Sequence, residues 1–218
     1  MTKIIGIDDA GRGPVLGPMI LAGVLANSED EQKIKDWGAK DSKLLTPNSR
    51  AVIAQKISQN FSYHIEISQP IEIDDSDNLN YLEAIKTAMI INKLSQNEKE
   101  KITAYVDCPS TNIDAWTLDV KKLLKNPGKI ILKCEHKADL NHPIVSAASI
   151  LAKERRELEM RNLRKSLNID FGSRYPADPK TKDFIKENYS NPQYKPIIRF
   201  SWSTVKKLVK GKAQKKLF

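Results

Sequence analysis

An α/β fold on a mixed sheet is what this sequence predicts, on three observations. Short apolar runs alternate with stretches of helical periodicity along the chain, the pattern of a sheet flanked by helices. The first two runs, 3–7 and 19–25, read as a hairpin-like pair whose turn is punctuated by Pro14 and Pro18, so the sheet is not all parallel. With 218 residues, 40% of them hydrophobic, the chain can bury one sizeable core and carry a small appendage.

Each element has its own signal. Residues 3–7 form a buried strand, with 19–25 as its neighbour. Residues 30–37 read as a short polar helix. Thr46-Pro47 opens another that runs to about Asn60, because a capping hydroxyl followed by proline suits the first helical turn. Over 61–68 the residues Phe61, Tyr63, Ile65 and Ile67 alternate and share one face of a strand. Asp77 or Asn78 caps a helix whose apolar stripe is Tyr81, Ala84, Ile85, Ala88, Met89 and Ile91. Residues 102–106 form a strand that delivers Asp107 at its end, 113–124 a helix, and 129–133 a further strand. His142 or Pro143 opens a long helix to about Ser166, whose first turns carry small residues (Ser146-Ala-Ala-Ser) that allow close packing. A Gly/Pro/Asp-rich loop spans 171–182, and late helices cover 181–188 and 203–209.

Composition narrows the partners. The net charge of +9 favours a polyanion, although charge alone does not separate a nucleic-acid binder from an ordinary basic protein. The last 26 residues hold eight Lys/Arg and no Asp/Glu, a solvated tail or a nucleic-acid arm. No apolar run reaches the roughly 18 residues of a membrane span, and Met1-Thr-Lys-Ile-Ile lacks signal-peptide anatomy. Cys108 and Cys134 are too few for a disulfide scaffold or a zinc site. The expectation is a cytoplasmic protein with both thiols reduced and no membrane association.

The chemistry concentrates in Gly6-Ile-Asp-Asp-Ala-Gly-Arg-Gly-Pro14. Asp8 and Asp9 close an apolar run, and carboxylates there are natural ligands of a hard divalent cation. The Gly11-Arg12-Gly13 turn lets backbone approach a sugar-phosphate while a fork of donors meets it. Asp107 and Asp139 occupy similar contexts at the ends of core elements. Four clustered carboxylates raise one another's pKa. Two divalent ions about 3.5–4 Å apart would relieve that penalty and activate water against a phosphate. A dinucleotide fingerprint is rejected, because the spacing is G-x-G-x-x-x-G, two acids precede it and two prolines obstruct the helix. A Walker loop fails for want of Gly-Lys-Ser/Thr.

Lys40-Asp-Ser-Lys43 offers two cations and a hydroxyl, a phosphate clamp or an ordinary helix entry. Tyr175, in Gly172-Ser-Arg-Tyr-Pro-Ala-Asp-Pro, stands in a stiff loop where an exposed ring stacks on a nucleotide. His64, His136 and His142 form no ligand spacing, and His136 has the best claim to a minor role.

In their order these motifs are specific. Together with Val106-Asp107, Lys137-Ala-Asp139 and Pro143-Ile-Val-Ser-Ala-Ala-Ser-Ile-Leu-Ala-Lys153, the chain resembles the type 2 ribonucleases H (ribonuclease HII), archaeal-like branch. The resemblance implies a ribonuclease H-like fold, a five-stranded mixed sheet flanked by helices with a helical C-terminal extension. It implies a catalytic domain over 1–170, and a substrate-contacting loop, extension and basic tail over 171–218. It further implies cleavage of RNA in RNA/DNA hybrids and at single ribonucleotides in duplex DNA. The cut falls 5′ of the ribonucleotide and leaves 3′-hydroxyl and 5′-phosphate ends. By the same resemblance Asp8, Asp9, Asp107 and Asp139 are catalytic and bind two Mg²⁺ or Mn²⁺ ions. Gly11, Arg12 and Gly13 sense the 2′-hydroxyl, Tyr175 stacks at the junction sugar, and Lys40, Lys43 and Asn80 contact phosphate.

Two positions depart from the family pattern. Asp9 stands where glutamate is usual, one carbon–carbon bond shorter, or roughly 1.5 Å. Weakened Mg²⁺ use with a preference for Mn²⁺ follows from the strict geometry of Mg²⁺. An impaired hybrid-binding protein is the alternative reading. Arg174 replaces the usual glycine before the tyrosine, adding charge near the substrate and altering the loop. The tail Gln214-Lys-Lys-Leu-Phe218 partly resembles a sliding-clamp-binding peptide. A monomer is expected.

Overall fold

The computed structural model describes residues 2–39 and 45–215, with the side chains of 211–215 excepted. Its described elements are β1 (Lys3–Ala10), β2 (Met19–Asn27), α1 (Asp30–Asp36), α2 (Pro47–Asn60), β3 (Ser62–Ser68), α3 (Pro70–Asp75), α4 (Leu79–Leu94), β4 (Ile102–Asp107), α5 (Ile113–Leu123), β5 (Ile130–Glu135), α6 (Ala138–Asn141), α7 (Pro143–Leu167), α8 (Pro179–Asn188) and α9 (Ser203–Lys215). The five strands form one mixed sheet in the order β3-β2-β1-β4-β5. β1 pairs antiparallel with β2 and parallel with β4, and β4 pairs parallel with β5. Among the described residues no helix is long and apolar enough to cross a membrane.

Local chemistry accounts for the boundaries. Thr46 caps α2 by accepting from the Ser49 N–H, with Pro47 in the first turn. Asn78, not Asp77, caps α4 by accepting from the Asn80 and Tyr81 N–H groups. β1 is longer than its apolar run, because β2 continues opposite it and pairs Asp8 with Ala22 and Asp9 with Leu21. The two acids therefore lie within the strand and point to opposite faces of the sheet. α4 is buried over more of its circumference than the expected stripe. Leu82, Glu83, Lys86, Thr87 and Ile90 are buried, whereas Tyr81 and Met89 stand exposed. α3 and α6, of six and four residues, carry too little periodicity to be read from the chain.

The chain divides into two compact units. Met1–Ala10, Ile20–Glu66 and Asn78–Arg155 make up the first, and Gly11–Met19, Ile67–Asp77 and Arg156–Phe218 the second. In the first, α7 lies against the Gly6 face of β1 with almost no spacing. A Cβ built on Gly6 would fall 2.3 Å from the carbonyl carbon and oxygen of Ile144. Ile144, Val145, Ala147, Ala148 and Ser149 are all fully buried there, so the small residues do permit the close approach. Cys108 is buried, and burial pushes the Cys134 thiol up to about 11; both are free thiols. The second unit has its own core of Val15, Leu16, Met160, Phe171, Phe184, Ile185, Ile197, Ile198 and Val205.

The Gly6 contact is with backbone, which cannot rotate aside. Gly6→Ala should lower unfolding stability by about 2 kcal/mol or more, measured by urea denaturation. A loss below ~0.5 kcal/mol would show that α7 is free to move away.

Candidate active site

The acids of the first unit come from three elements. Asp8 and Asp9 sit on β1, Asp107 ends β4 next to it in parallel register, and Asp139 lies in the first turn of α6. Gly6 and Asp8 share a face of β1, and Asp8 Oδ is hydrogen-bonded by the hydroxyl of Ser149 on α7. Asp8 Oδ1 also accepts from the Asp9 N–H at 2.7 Å. Lys137, at φ +58°, turns the chain into α6, and the Ala138 N–H then donates to Asp107 Oδ1 at 3.0 Å. Half-buried Asp139 follows one residue later.

Asp8, Asp9 and Asp107 border one small cavity with buried Glu83 of α4, and among the described residues no Lys, Arg or His lines it. Burial pushes the Asp8 carboxyl well above the ordinary carboxylate range, and the charges of Asp9 and Asp107 push it the same way against the Ser149 hydrogen bond. Among the described residues no three His, Cys, Asp or Glu side chains already converge on one point as ligands of an ion. The donor chemistry nevertheless fits a hard divalent cation. The charged groups are all carboxylates, and like charge is gathered where burial disfavours it.

Asn80 stands in the first turn of α4, where its carbonyl accepts from the Trp116 indole at 2.8 Å; Trp116 borders the same cavity. Lys40 and Lys43 lie outside the described residues. Ala39 just before them is fixed by the Ser146 hydroxyl, which donates to its carbonyl. The histidines take structural roles. His136 Nδ1 pairs with the Cys108 carbonyl at 3.0 Å, His64 with Glu66, and His142 with Glu135.

Gly11, Arg12, Gly13 and Tyr175 belong to the second unit. Gly11 adopts φ +90°, and a Cβ there would fall 2.0 Å from Arg156 Nε, so glycine is required on both counts. The Val15 N–H donates to the Arg174 carbonyl at 2.9 Å and draws the tyrosine loop alongside. A Cβ on Gly13 would come within 3.6 Å of Tyr175 Cε1, and the Tyr175 ring is 49% exposed. Arg174 takes φ +76°, a region that favours glycine. Its guanidinium turns back to Glu157 on α7 at 3.0 Å, so the added charge is paired. Asp178 accepts from the Ser173 N–H and hydroxyl, the Lys180 N–H and the Thr181 hydroxyl, and these bonds hold its carboxyl down at about 2.

Three residues of these sites have no motif of their own. Glu83 hides in an amphipathic helix, Ser149 in a run of small residues, and Arg199 in the C-terminal segment. Fully buried Arg199 donates to the carbonyls of Gly11, Arg12 and Gly17. Glu83 lies outside the apolar stripe read for its helix, so the sequence pattern does not mark it.

Comparison with known proteins identifies the family. The family model described as Ribonuclease HII matches residues 5–205. The ribonuclease HII of Pyrococcus furiosus is 41% identical over 217 residues, covering 98% of this chain and 94% of its own. The crystal structure of the ribonuclease H2 from Pyrococcus horikoshii OT3 superposes with a TM-score of 0.87 at 35% identity, covering 98% of this chain and all of that one. The ribonuclease HII in a complex with PCNA from Archaeoglobus fulgidus gives a TM-score of 0.80 at 34% identity, covering 94% and 96% of the two chains. The chain belongs to the ribonuclease HII family and is a metal-dependent endoribonuclease of ribonuclease H-like fold.

The raised pKa of Asp8 fixes the sign of a stability effect. The folded protein binds this proton more tightly than the unfolded chain does. The resulting destabilisation is present above the raised pKa and fades as pH falls into the ordinary carboxylate range. Metal-free Asp8→Asn should therefore melt a few degrees above the parent at neutral pH, each kcal/mol being worth about 2–4 °C. The gap should close on acidification and reverse when Mn²⁺ is added, followed by calorimetry across pH. A variant that melts lower at neutral pH without metal would contradict the charge argument.

Proposed function

We propose that this ribonuclease HII cuts RNA in RNA/DNA hybrids and at single ribonucleotides in duplex DNA, on the 5′ side of the ribonucleotide, leaving 3′-hydroxyl and 5′-phosphate ends. The observation that carries the reading is the pair of adjacent parallel strands that gathers Asp8, Asp9 and Asp107 about one cavity. Asp8, Asp9, Asp107 and Asp139 would hold two ions, Mg²⁺ or Mn²⁺. The chemistry supplied by such ions when bound is activation of the attacking water and neutralisation of charge at the leaving 3′-oxygen.

The residues of the chain do the rest. Ser149 and the Ala138 N–H orient the carboxylates of Asp8 and Asp107. Gly11, Arg12 and Gly13 present backbone and guanidinium donors to the 2′-hydroxyl, the group that separates RNA from DNA. Tyr175 stacks on the junction sugar and sets the register, while Lys40, Lys43 and Asn80 hold the backbone phosphates. The division of labour is a catalytic part over 1–170 and a substrate-contacting part over 171–218, in a cytoplasmic monomer. The basic tail adds a partner. The PCNA complex of the Archaeoglobus fulgidus relative supports a sliding clamp as that partner, and Gln214 to Phe218 would be the segment that meets it.

A duplex with one ribonucleotide, beside an all-DNA duplex, tests the activity in Mg²⁺ and in Mn²⁺. One cut 5′ of the ribonucleotide is expected, with the DNA control intact and a faster rate in Mn²⁺. Asp9→Glu should raise the Mg²⁺ rate toward the Mn²⁺ rate. Binding without cutting in either metal, or cutting of the all-DNA duplex, would sink the reading. Deleting Gln214 to Phe218 should abolish capture by an archaeal clamp while leaving cleavage of free duplex intact; retained capture removes the tail from the interface.

A further inference from the structure

We propose that Arg199 is a positioning residue for 2′-hydroxyl recognition, which aims the backbone N–H groups of Arg12 and Gly13 by holding the two carbonyls behind them. The inference rests on the Gly-Arg-Gly reading above and assigns the element that shapes it.

Arg199 is fully buried, 182 to 188 positions along the chain from its partners. Its Nη2 donates to the Gly11 carbonyl at 2.7 Å, Nη1 to the Arg12 carbonyl at 3.0 Å, and Nε to the Gly17 carbonyl at 2.8 Å. The peptide bonds here are trans. In a trans peptide the C=O of one residue and the N–H of the next point in opposite directions. The guanidinium that draws in the Gly11 and Arg12 carbonyls thereby turns the Arg12 and Gly13 N–H groups away from itself. Those are the donors that the recognition turn would offer to a ribose hydroxyl. Two peptide planes are set by one planar fork, which a lysine ammonium cannot reproduce.

The fork is itself held on three sides. The Trp202 ring lies 5.0 Å from the guanidinium carbon. The Arg199 N–H donates to the Val15 carbonyl, and the Gly17 N–H to the Ile197 carbonyl, closing a short antiparallel bridge between Leu16 and Ile198. Asp74 accepts from the Phe200 N–H at 2.6 Å and the Ser201 N–H at 2.9 Å, fixing the chain just past the arginine. A buried charge with so many constraints has one orientation, and the turn inherits it.

The test compares Arg199→Lys with Asp74→Asn, which loosens the same segment without touching the turn carbonyls. Both are read by thermal midpoint, by Mn²⁺ affinity in calorimetry, and by kcat and KM on a duplex with one ribonucleotide. Metal-free binding to that duplex and to its all-DNA counterpart gives the preference ratio. Arg199→Lys should lower kcat/KM by about 100-fold, the scale of a misplaced preorganised donor, and bring the preference ratio to about one. Its Mn²⁺ affinity should stay within about twofold of the parent, because the acids belong to the other unit. Asp74→Asn should lose midpoint, with a far smaller loss of preference than Arg199→Lys shows. Equal losses of preference in both variants, in step with midpoint, would make Arg199 a structural residue only and overturn the proposal. If Arg199→Lys does not fold, Trp202→Leu removes the stacked ring and should lower the preference; an unchanged preference overturns the proposal. A parent protein that binds both duplexes equally overturns this inference together with the recognition reading beneath it.

Discussion

A buried carboxylate pressed by two like charges is the constraint on which the first unit is built. Asp8 is costly there, since burial and the neighbouring Asp9 and Asp107 all disfavour its charged form. Its position depends on two backbone facts. The missing side chain at Gly6 admits the Ile144 backbone of α7, and the same helix brings Ser149 to the carboxylate. The parallel register of β1 and β4 sets Asp107 beside it, and the α6 N–H at Ala138 holds that second acid in place. The close backbone approach at Gly6 and the least comfortable charge thus share one cause. A fold that tolerates such a charge is poised for a cation, and part of the binding energy of that cation is relief of repulsion already present.

The second unit solves a different problem with backbone in place of carboxylates. A hydroxyl is small, and only a directional hydrogen bond reports it, so discrimination depends on donors held at fixed points. Gly11 takes a left-handed turn over Arg156, and Arg199 sets the two following peptide planes. The tyrosine loop is fixed in the same manner. Asp178 gathers the Ser173, Lys180 and Thr181 donors, the Thr181 hydroxyl accepts from the Arg174 N–H, and Glu157 takes the Arg174 side chain. Arg174 bears a left-handed backbone without the freedom of glycine, a cost of order 1 kcal/mol that its ion pair and hydrogen bonds offset. What looks from sequence like added positive charge is instead a loop tied down.

The legible parts of this protein were those with local cause. Apolar runs marked four strands and alternation the fifth, and Thr46-Pro47 and Asp77-Asn78 marked their helices because a cap acts within three residues. The acids stood out only as a set, because one strand-end carboxylate is common but four in similar contexts beside Gly11-Arg12-Gly13 are not. Other features had no local cause to read. β1 runs on through Asp8 to Ala10 only because β2 is there to pair with it. The four residues of α6 hold no full helical period, and α4 is buried on more sides than one stripe reveals. Arg199 was invisible because its partners lie more than 180 residues away, and a lone arginine in a basic tail looks like solvent-facing charge.

The pairing of Asp9 with Leu21 carries a consequence for metal choice. Were the second acid on a loop, the chain would shift to make up for a side chain roughly 1.5 Å short. Inside a paired strand its Cα is held by the ladder to β2, so the shortfall stays at the carboxylate. The turn that follows is anchored separately through Gly11 and Arg12, which leaves duplex recognition no reason to change with residue 9. On the proposed assignment, the difference between aspartate and glutamate must therefore appear in which ion completes the site. Mg²⁺ tolerates little departure from octahedral geometry, so it is the ion that loses most.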